Sequence, residues 1–275
     1  PLIGASFGYR RRARLGVKFV IKKGKVLVGF REKSRHYIAD LERCEILHPS
    51  VGQILLKLKN LISTLQAYQT IPQIEVSIGD EKVALVFRHL TPLCNKDKEA
   101  LIAFGKDQGI AIYLQPEGPN SISLLWAADN NPFLSYKLPE FGVEIQFAPT
   151  DFVQINSDIN HQMVKQAVEL LDLSSADKVL DLFCGLGNFT FPIAKFALEV
   201  VGVEGSQETV QRAYQNAKHN NFSNVELYVD NLQTSCLDSQ WAQRQYDKIL
   251  LDPPRAGVLE IIPLIAQLTR EKIVY

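Results

Sequence analysis

The sequence predicts an α/β protein, with an open, doubly wound parallel sheet behind a smaller α+β domain. The first observation is Lys178-Val-Leu-Asp-Leu-Phe183, a buried strand that runs through Gly185 and Gly187 into a helix over residues 188–197. Strand, glycine turn and helix form the opening βα unit of such a sheet, whose ligand sits outside the carboxyl ends of the strands. The second is the alternation of apolar strands with helix-spaced segments from there to Tyr275. The third is a different order over residues 1–140, β-β-α-β-β-α-β, the signature of an α+β unit. A chain of 275 residues, 46% hydrophobic, suggests about two domains. The division is expected at 1–140 and 141–275, with the junction near residues 141–148.

Taken in order, Tyr9-Arg-Arg-Arg-Ala-Arg14 is the densest basic run. Residues 17–30 read as two strands about a Lys22-Lys-Gly-Lys25 turn, a hairpin. Arg31, Lys33, Arg35 and His36 extend the positive charge. Ser50-Val-Gly-Gln53 has the form of a capping box. Ile54, Leu55, Leu58, Leu61, Ile62 and Leu65 then share one helical face. Residues 73–77 and 82–90 read as strands, 96–106 as a helix stopping near Gly109, and 109–114 as a strand. Gln115-Pro-Glu-Gly-Pro-Asn120 is a loop and Asp129-Asn-Asn-Pro132 a turn. Residues 160–171 form a helix with Met163, Val164, Ala167, Val168 and Leu171 inward. Leu198-Glu-Val-Val-Gly-Val-Glu204 is the next strand, followed by a helix capped by Ser206 with Val210, Ala213 and Ala217 inward. Residues 225–231, 246–252 and 272–275 supply further strands, with a helix over 261–268 between the last two.

The glycine turn admits two ligand classes. A dinucleotide fingerprint requires Gly-x-Gly-x-x-Gly, and here Thr190 stands where the third glycine belongs. Nineteen positions after Gly185, Glu204 ends the second strand and can accept hydrogen bonds from both ribose hydroxyls of either NAD or S-adenosylmethionine. The tie-breaker is Leu251-Asp-Pro-Pro-Arg-Ala-Gly257. Its prolines fix φ and stiffen the loop, holding Asp252 at the mouth of the site. Methyltransferases of planar nitrogen heterocycles use such a motif against the target base; dehydrogenases do not need it. Asp230 and Asn231, ending the third strand, are placed to meet an adenine edge, and Gln154 lies just upstream of the first.

Composition narrows the classes. No apolar run approaches the ~18 residues of a membrane span, and no secretory signal pattern opens the chain. Cys44, Cys94, Cys184 and Cys236 are widely spaced, as in a reduced cytoplasmic protein. Net charge is zero, but residues 1–50 carry 12 Lys and Arg against 4 Asp and Glu, a net of +8. A basic arm ahead of an acidic body predicts a polyanionic partner gripped by the first domain, through Arg10, Arg11, Arg12 and Arg14. Tyr9 or Phe30 could stack on bases. Cys94, Cys184 and Cys236 read as structural. The histidines read as unpaired.

These residues resemble a known family, the RNA 5-methyluridine methyltransferases, and within it the bacterial 23S ribosomal RNA branch. The resemblance spans nearly the whole chain and rests on Gly8-Tyr-Arg-Arg-Arg-Ala-Arg-Leu15, Asp151-Phe-Val-Gln-Ile-Asn156, Asp181-Leu-Phe-Cys-Gly-Leu-Gly-Asn-Phe-Thr190, Val201-Gly-Val-Glu-Gly205 and the Asp-Pro-Pro run. It implies a Rossmann-like class I sheet dependent on S-adenosylmethionine, with cofactor contacts at Gln154, Phe183, Asn188, Glu204, Asn231 and Asp252. It implies methyl transfer to carbon 5 of a uridine in RNA, 23S rRNA first, by a monomeric enzyme. A cysteine thiolate adds at carbon 6, carbon 5 takes the methyl group, and a base removes its proton. The nucleophilic cysteine and the glutamate base are expected beyond Tyr275, as are the sheet's last two strands. The chain is therefore expected to be truncated and inactive alone. The resemblance also makes Cys44 the last of four ligands to a [4Fe–4S] cluster whose first three lie upstream; one thiolate cannot hold it, so no cluster is expected in this chain. Alternatives are a tRNA uracil-5-methyltransferase, an RNA amino-methyltransferase (disfavoured because Arg255 rather than an aromatic follows Asp-Pro-Pro) and a non-catalytic RNA-binding module.

Overall fold

A computed structural model describes residues 1–32, 37–232, 238–255 and 257–275. Lys33, Arg35, His36 and Cys236 lie outside the described residues. The chain forms two compact units: one of Pro1, Ile3–Ser135 and Ala148–Asp158, the other of Leu2, Tyr136–Phe147 and Ile159–Tyr275.

The first unit is a six-stranded sheet in the order β2-β1-β3-β4-β5-β6 with helices beside it. Its elements are β1 (Arg12–Val20), β2 (Lys25–Gly29), α1 (Pro49–Gly52), α2 (Leu55–Thr64), β3 (Gln73–Ile78), β4 (Val83–Arg88), α3 (Asn95–Gln108), β5 (Ile110–Gln115) and β6 (Ser123–Trp126). The expected hairpin is present, with Gly16 opposite Gly29 and Val20 opposite Lys25. Among the described strands of this sheet, only β4 and β5 pair in parallel. This requires the crossover that α3 supplies. Leu85, Val86 and Phe87 are fully buried because β4 lies between β3 and β5, away from both sheet edges. Leu55, Leu58 and Ile62 of α2 are fully buried in the same core, as their helical spacing predicts.

The capping box is a correction. Pro49 takes the first helical position of α1, where its missing N–H costs nothing, and His48 becomes the cap, its Nδ1 accepting from Ser50 N at 3.4 Å. Ser50 thus lies inside a one-turn helix, and α2 starts separately at Leu55 without a side-chain cap. β6 is a second addition, since its short Ser123-Leu-Leu-Trp126 run carries no alternation to mark it.

The elements that follow are β7 (Leu134–Leu138), β8 (Val143–Phe147), α4 (Ser157–Leu171), β9 (Lys178–Leu182), α5 (Thr190–Ala194), β10 (Glu199–Glu204), α6 (Gln207–His219), β11 (Val225–Val229), β12 (Tyr246–Leu251), α7 (Ile262–Leu268) and β13 (Thr269–Val274). β7 and β8 form a two-stranded ribbon that the alternating pattern had not marked. The parallel sheet of the second unit has the order β11-β10-β9-β12-β13. Numbered within the sheet this is 3-2-1-4-5, the doubly wound arrangement, whose strand order reverses between β9 and β12. Near-continuous apolar strands such as Ile249-Leu-Leu251 suit a sheet covered on both faces. The helix expected over 188–197 shortens to Thr190–Ala194.

One buried ion pair closes the amino end of this sheet. Lys248 of β12 donates to Asp177 Oδ2 at 2.7 Å, just before β9, with side chains 6% and 9% exposed. Lys248 also bonds the Asp172 carbonyl. Burial alone would raise the Asp177 carboxyl, but the bonds from Lys248 and Ser174 outweigh it and hold it below its ordinary value. A carboxyl so depressed contributes stability that is full above its unfolded value and lost as pH falls through its folded one. Lys248→Met leaves a buried unpaired carboxylate and should cost about 3–5 kcal/mol at neutral pH. That loss should shrink toward about pH 4, where the stranded carboxyl takes up a proton. Urea unfolding at both pH values checks this; equal losses would mean the pair carries no such charge penalty.

Candidate functional site

Parallel register decides which residues meet at the carboxyl edge. Val203 of β10 and Leu251 of β12 both stand opposite Leu182 of β9. The next residue in each strand therefore emerges at one level: Phe183, Glu204 and Asp252. Backbone bonds extend this row, from Phe183 N to Val203 O at 2.9 Å and from Asp230 N to Glu204 O at 3.0 Å. Of the six expected cofactor residues, Phe183, Asn188, Glu204, Asn231 and Asp252 belong to the second unit and Gln154 to the first. The second unit builds the candidate site from those five.

The turn after β9 is held from below by Glu204. Its Oε2 accepts from Gly185 N at 3.3 Å and its Oε1 from Ser206 N at 3.1 Å. Phe183 has φ +65, a left-handed conformation that costs a bulky residue about 1–3 kcal/mol and concentrates at functional turns. The two glycines differ in role. Gly185 (φ +55) faces open space, so a ligand can approach its backbone. At Gly187 (φ +95) a Cβ would lie 2.1 Å from the Phe191 ring. Close packing of the helix, rather than approach of a ligand, requires that second glycine. Thr190 explains the absent third glycine: it is fully buried, and its hydroxyl donates to Asp181 Oδ2 at 2.6 Å.

Asp181 is the residue whose importance sequence reading missed. It is 1% exposed, and its Oδ1 has no hydrogen-bond partner among the described residues. Burial raises its carboxyl to about 7, against the Thr190 bond and with help from the nearby Asp252 and Glu204 charges. Desolvation also raises Asp252, although it stands exposed at the mouth. Three carboxyl groups thus converge on one edge, an arrangement that favours a cationic ligand. The available signal was an acid inside an otherwise apolar strand.

Asn188 is engaged by the protein. Its Oδ1 accepts from Tyr136 Oη at 2.8 Å and from Asn160 Nδ2 at 2.9 Å, and its Nδ2 donates to Asn160 Oδ1 at 2.9 Å. Asn160 is 4% exposed on the inner face of α4. Asp230 turns inward, accepting from Trp241 Nε1 at 2.9 Å and from the Ser239 hydroxyl. Asn231, which follows it, remains at the strand end. Cys184 is 3% exposed, and burial, then the Asp181 and Glu204 charges, push its thiol well above the ordinary range. A thiolate nucleophile needs the opposite environment.

The basic run of the first unit is largely neutralised. Arg11 pairs with Asp80. Arg12 donates to the Pro149 and Thr150 carbonyls, both at 2.8 Å, and lies 3.7 Å from Glu75. Arg14 pairs with Glu75 at 3.1 Å, though its side chain is 70% exposed. The Arg10 guanidinium sits 5.7 Å from the Phe30 ring centre. Arg12 therefore straps the start of the segment carrying Phe152 and Gln154. Cys44 is partly buried against this unit's core. No group of three or more His, Cys, Asp or Glu suited to a metal exists among the described residues; Cys44 supplies one thiolate, and an iron–sulfur cluster takes four. No described helix is long and apolar enough to cross a membrane.

The 23S rRNA (uracil(1939)-C(5))-methyltransferase RlmD of Hahella chejuensis is 48% identical over 279 residues, covering 100% of this chain and 63% of that protein. The protein of the same name from Alcanivorax borkumensis is 48% identical, with 100% and 62% covered. The chain spans about three fifths of the length of these curated relatives. Among solved structures, the Pyrococcus abyssi tRNA (uracil-54, C5)-methyltransferase in complex with S-adenosyl-L-homocysteine superposes with TM-score 0.71 at 22% identity, over 95% of this chain and 64% of that one. That likeness shows the shared fold, α/β with a Rossmann-like sheet. The family model described as tRNA (Uracil-5-)-methyltransferase matches residues 135–275. Because that span starts within β7 and takes in every strand of the parallel sheet, the chain belongs to this family.

Proposed function

We propose that the second unit binds S-adenosylmethionine and serves the methylation of carbon 5 of a uridine in RNA. The observation that carries this reading is the convergence of Glu204, Asp252 and the buried Asp181 around a turn with open space at Gly185. S-adenosylmethionine supplies an electrophilic methyl group on a cationic sulfonium, and its ammonium group adds a second positive charge. Glu204, once its ribose partners arrive, accepts from their hydroxyls while still holding the Gly185 and Ser206 amides. Asn231 contacts the adenine, and Asp252 at the mouth faces the base. Phe183 and Asn188 shape the turn, Asn188 still having an amide N–H beyond the bonds it makes with Asn160 and Tyr136. Gln154, in the first unit, keeps the cofactor role that the family resemblance implies for it.

Among substrates, 23S rRNA is favoured by the 48% identity to the Hahella protein; a tRNA substrate is the second reading. The partner is RNA, the protein a cytoplasmic monomer. Cys44 acts as a cluster ligand only where the other thiolates are supplied. The residues proposed to grip RNA shift in emphasis. With Arg11, Arg12 and Arg14 paired to acids or carbonyls, the exposed Lys18, Lys22 and Lys23 of the β1–β2 hairpin supply phosphate contacts, with Arg14 beside them. The domain division at 140/141 stands as part of the same proposal.

Glu204→Ala should weaken S-adenosylhomocysteine binding by about 1.5–3 kcal/mol in calorimetry; an unchanged dissociation constant would put the ribose elsewhere. Replacing Lys18, Lys22 and Lys23 should lower the salt slope of RNA binding by about 0.7 per contact. Arg12→Met should lower thermal stability more than the slope, and the reverse ranking would restore the arginine run as the RNA surface. Cys184 should resist iodoacetamide in the folded chain and react on unfolding, as read by mass spectrometry. Rapid labelling of the native protein would reopen it as a nucleophile.

A further inference from the structure

The inner face of α6 carries a polar residue that the proposed chemistry leaves unused. Asn216 is fully buried beside Val210, Ala213 and Ala217. Its side chain is not idle. Oδ1 accepts from Gln146 N at 2.9 Å, and Nδ2 donates to Gln146 O at 3.0 Å and to Leu186 O at 3.3 Å. One helical turn on, Asn220 repeats the first half of this pattern. Its Oδ1 accepts from Glu144 N at 2.8 Å and its Nδ2 donates to Glu144 O at 2.7 Å. Two carboxamides spaced i, i+4 thus pair with alternate residues of β8, as a neighbouring strand would. They satisfy an edge that β7 does not cover. Their third bonds differ: Asn216 Nδ2 reaches Leu186 O, in the middle of the glycine turn, whereas Asn220 Nδ2 donates back to Asn216 O at 2.8 Å within the helix.

That bond fixes the plane of the Leu186–Gly187 peptide, whose N–H donates to Cys184 O at 2.9 Å. With Glu204 holding Gly185 from one side and Asn216 holding Leu186 from another, the turn is over-determined. Such support holds Phe183 and the glycines in their positive-φ conformations.

We propose that Asn216 is a positioning residue for the cofactor: it sets the glycine turn in its binding shape and ties that shape to the β7–β8 ribbon. This inference rests on reading the turn as the S-adenosylmethionine cradle. Asn220 provides the internal control, since it makes the same strand-like bonds to β8 and none of those given for Leu186.

The test uses the 275-residue chain with Asn216→Ala, Asn216→Asp and Asn220→Ala. The aspartate variant keeps the acceptor for Gln146 N while removing both donors. Calorimetry with S-adenosylhomocysteine and hydrogen exchange of the ligand-free turn are compared with thermal stability. Both Asn216 variants should lose at least about tenfold in affinity, the equivalent of ~1.4 kcal/mol. Both should speed exchange at Gly187, while Asn220→Ala loses stability with affinity and turn exchange unchanged. Equal effects of Asn216→Ala and Asn220→Ala at matched stability, or wild-type affinity and exchange in the Asn216 variants, would overturn the inference. A wild-type chain that binds no S-adenosylhomocysteine would overturn the proposed function instead, and the exchange comparison would still decide whether Asn216 sets the turn.

Discussion

The parallel pairing of β9 with β10 on one side and β12 on the other is the constraint on which the ligand edge depends. Register alone places Phe183, Glu204 and Asp252 one step past a shared level at Leu182. These residues come from segments about 20 and 50 positions apart in sequence, and no local interaction could assemble them. The reversal of strand order between β9 and β12 opens the crevice at that point. A slip of one residue in either ladder would turn every side chain to the opposite face of the sheet. The apolar runs buried on both faces, with Leu180, Val201 and Ile249 fully enclosed, oppose such a slip.

The edge so formed is electrostatically unusual. Asp181 has lost its water and gained one hydroxyl bond, and two further carboxyl groups stand near it. An arrangement of this kind costs stability in the absence of a positive partner, because burial and like charge both disfavour ionisation. Functional sites commonly hold such groups. The same surroundings silence Cys184, whose thiol is pushed away from the reactive thiolate form. Proximity to the glycine turn therefore does not make this cysteine a nucleophile.

Elsewhere the fold converts apparent surface charge into internal connection. Arg12 was expected among phosphate contacts, yet its guanidinium fork meets two backbone carbonyls. A planar group with several donors suits that task better than a lysine would. Asn216 and Asn220 do the comparable work in the second unit, where carboxamides stand in for a missing strand. Polar residues with several donors and acceptors join elements that apolar packing leaves free to slide.

The sequence by itself determined the fold class, the parallel strands, the glycine turn and the acidic strand end at Glu204. These follow from local chemistry: apolar runs make strands, glycines permit left-handed turns, and helical spacing puts Leu55, Leu58 and Ile62 on one face. What only the tertiary structure decided was partnership. Whether Arg12 meets a carbonyl, whether Pro49 displaces Ser50 as the organiser of α1, and whether Gly187 yields to Phe191 depend on neighbours brought in by the fold. So does the burial of Asp181, because desolvation is a property of the surroundings rather than of the residue.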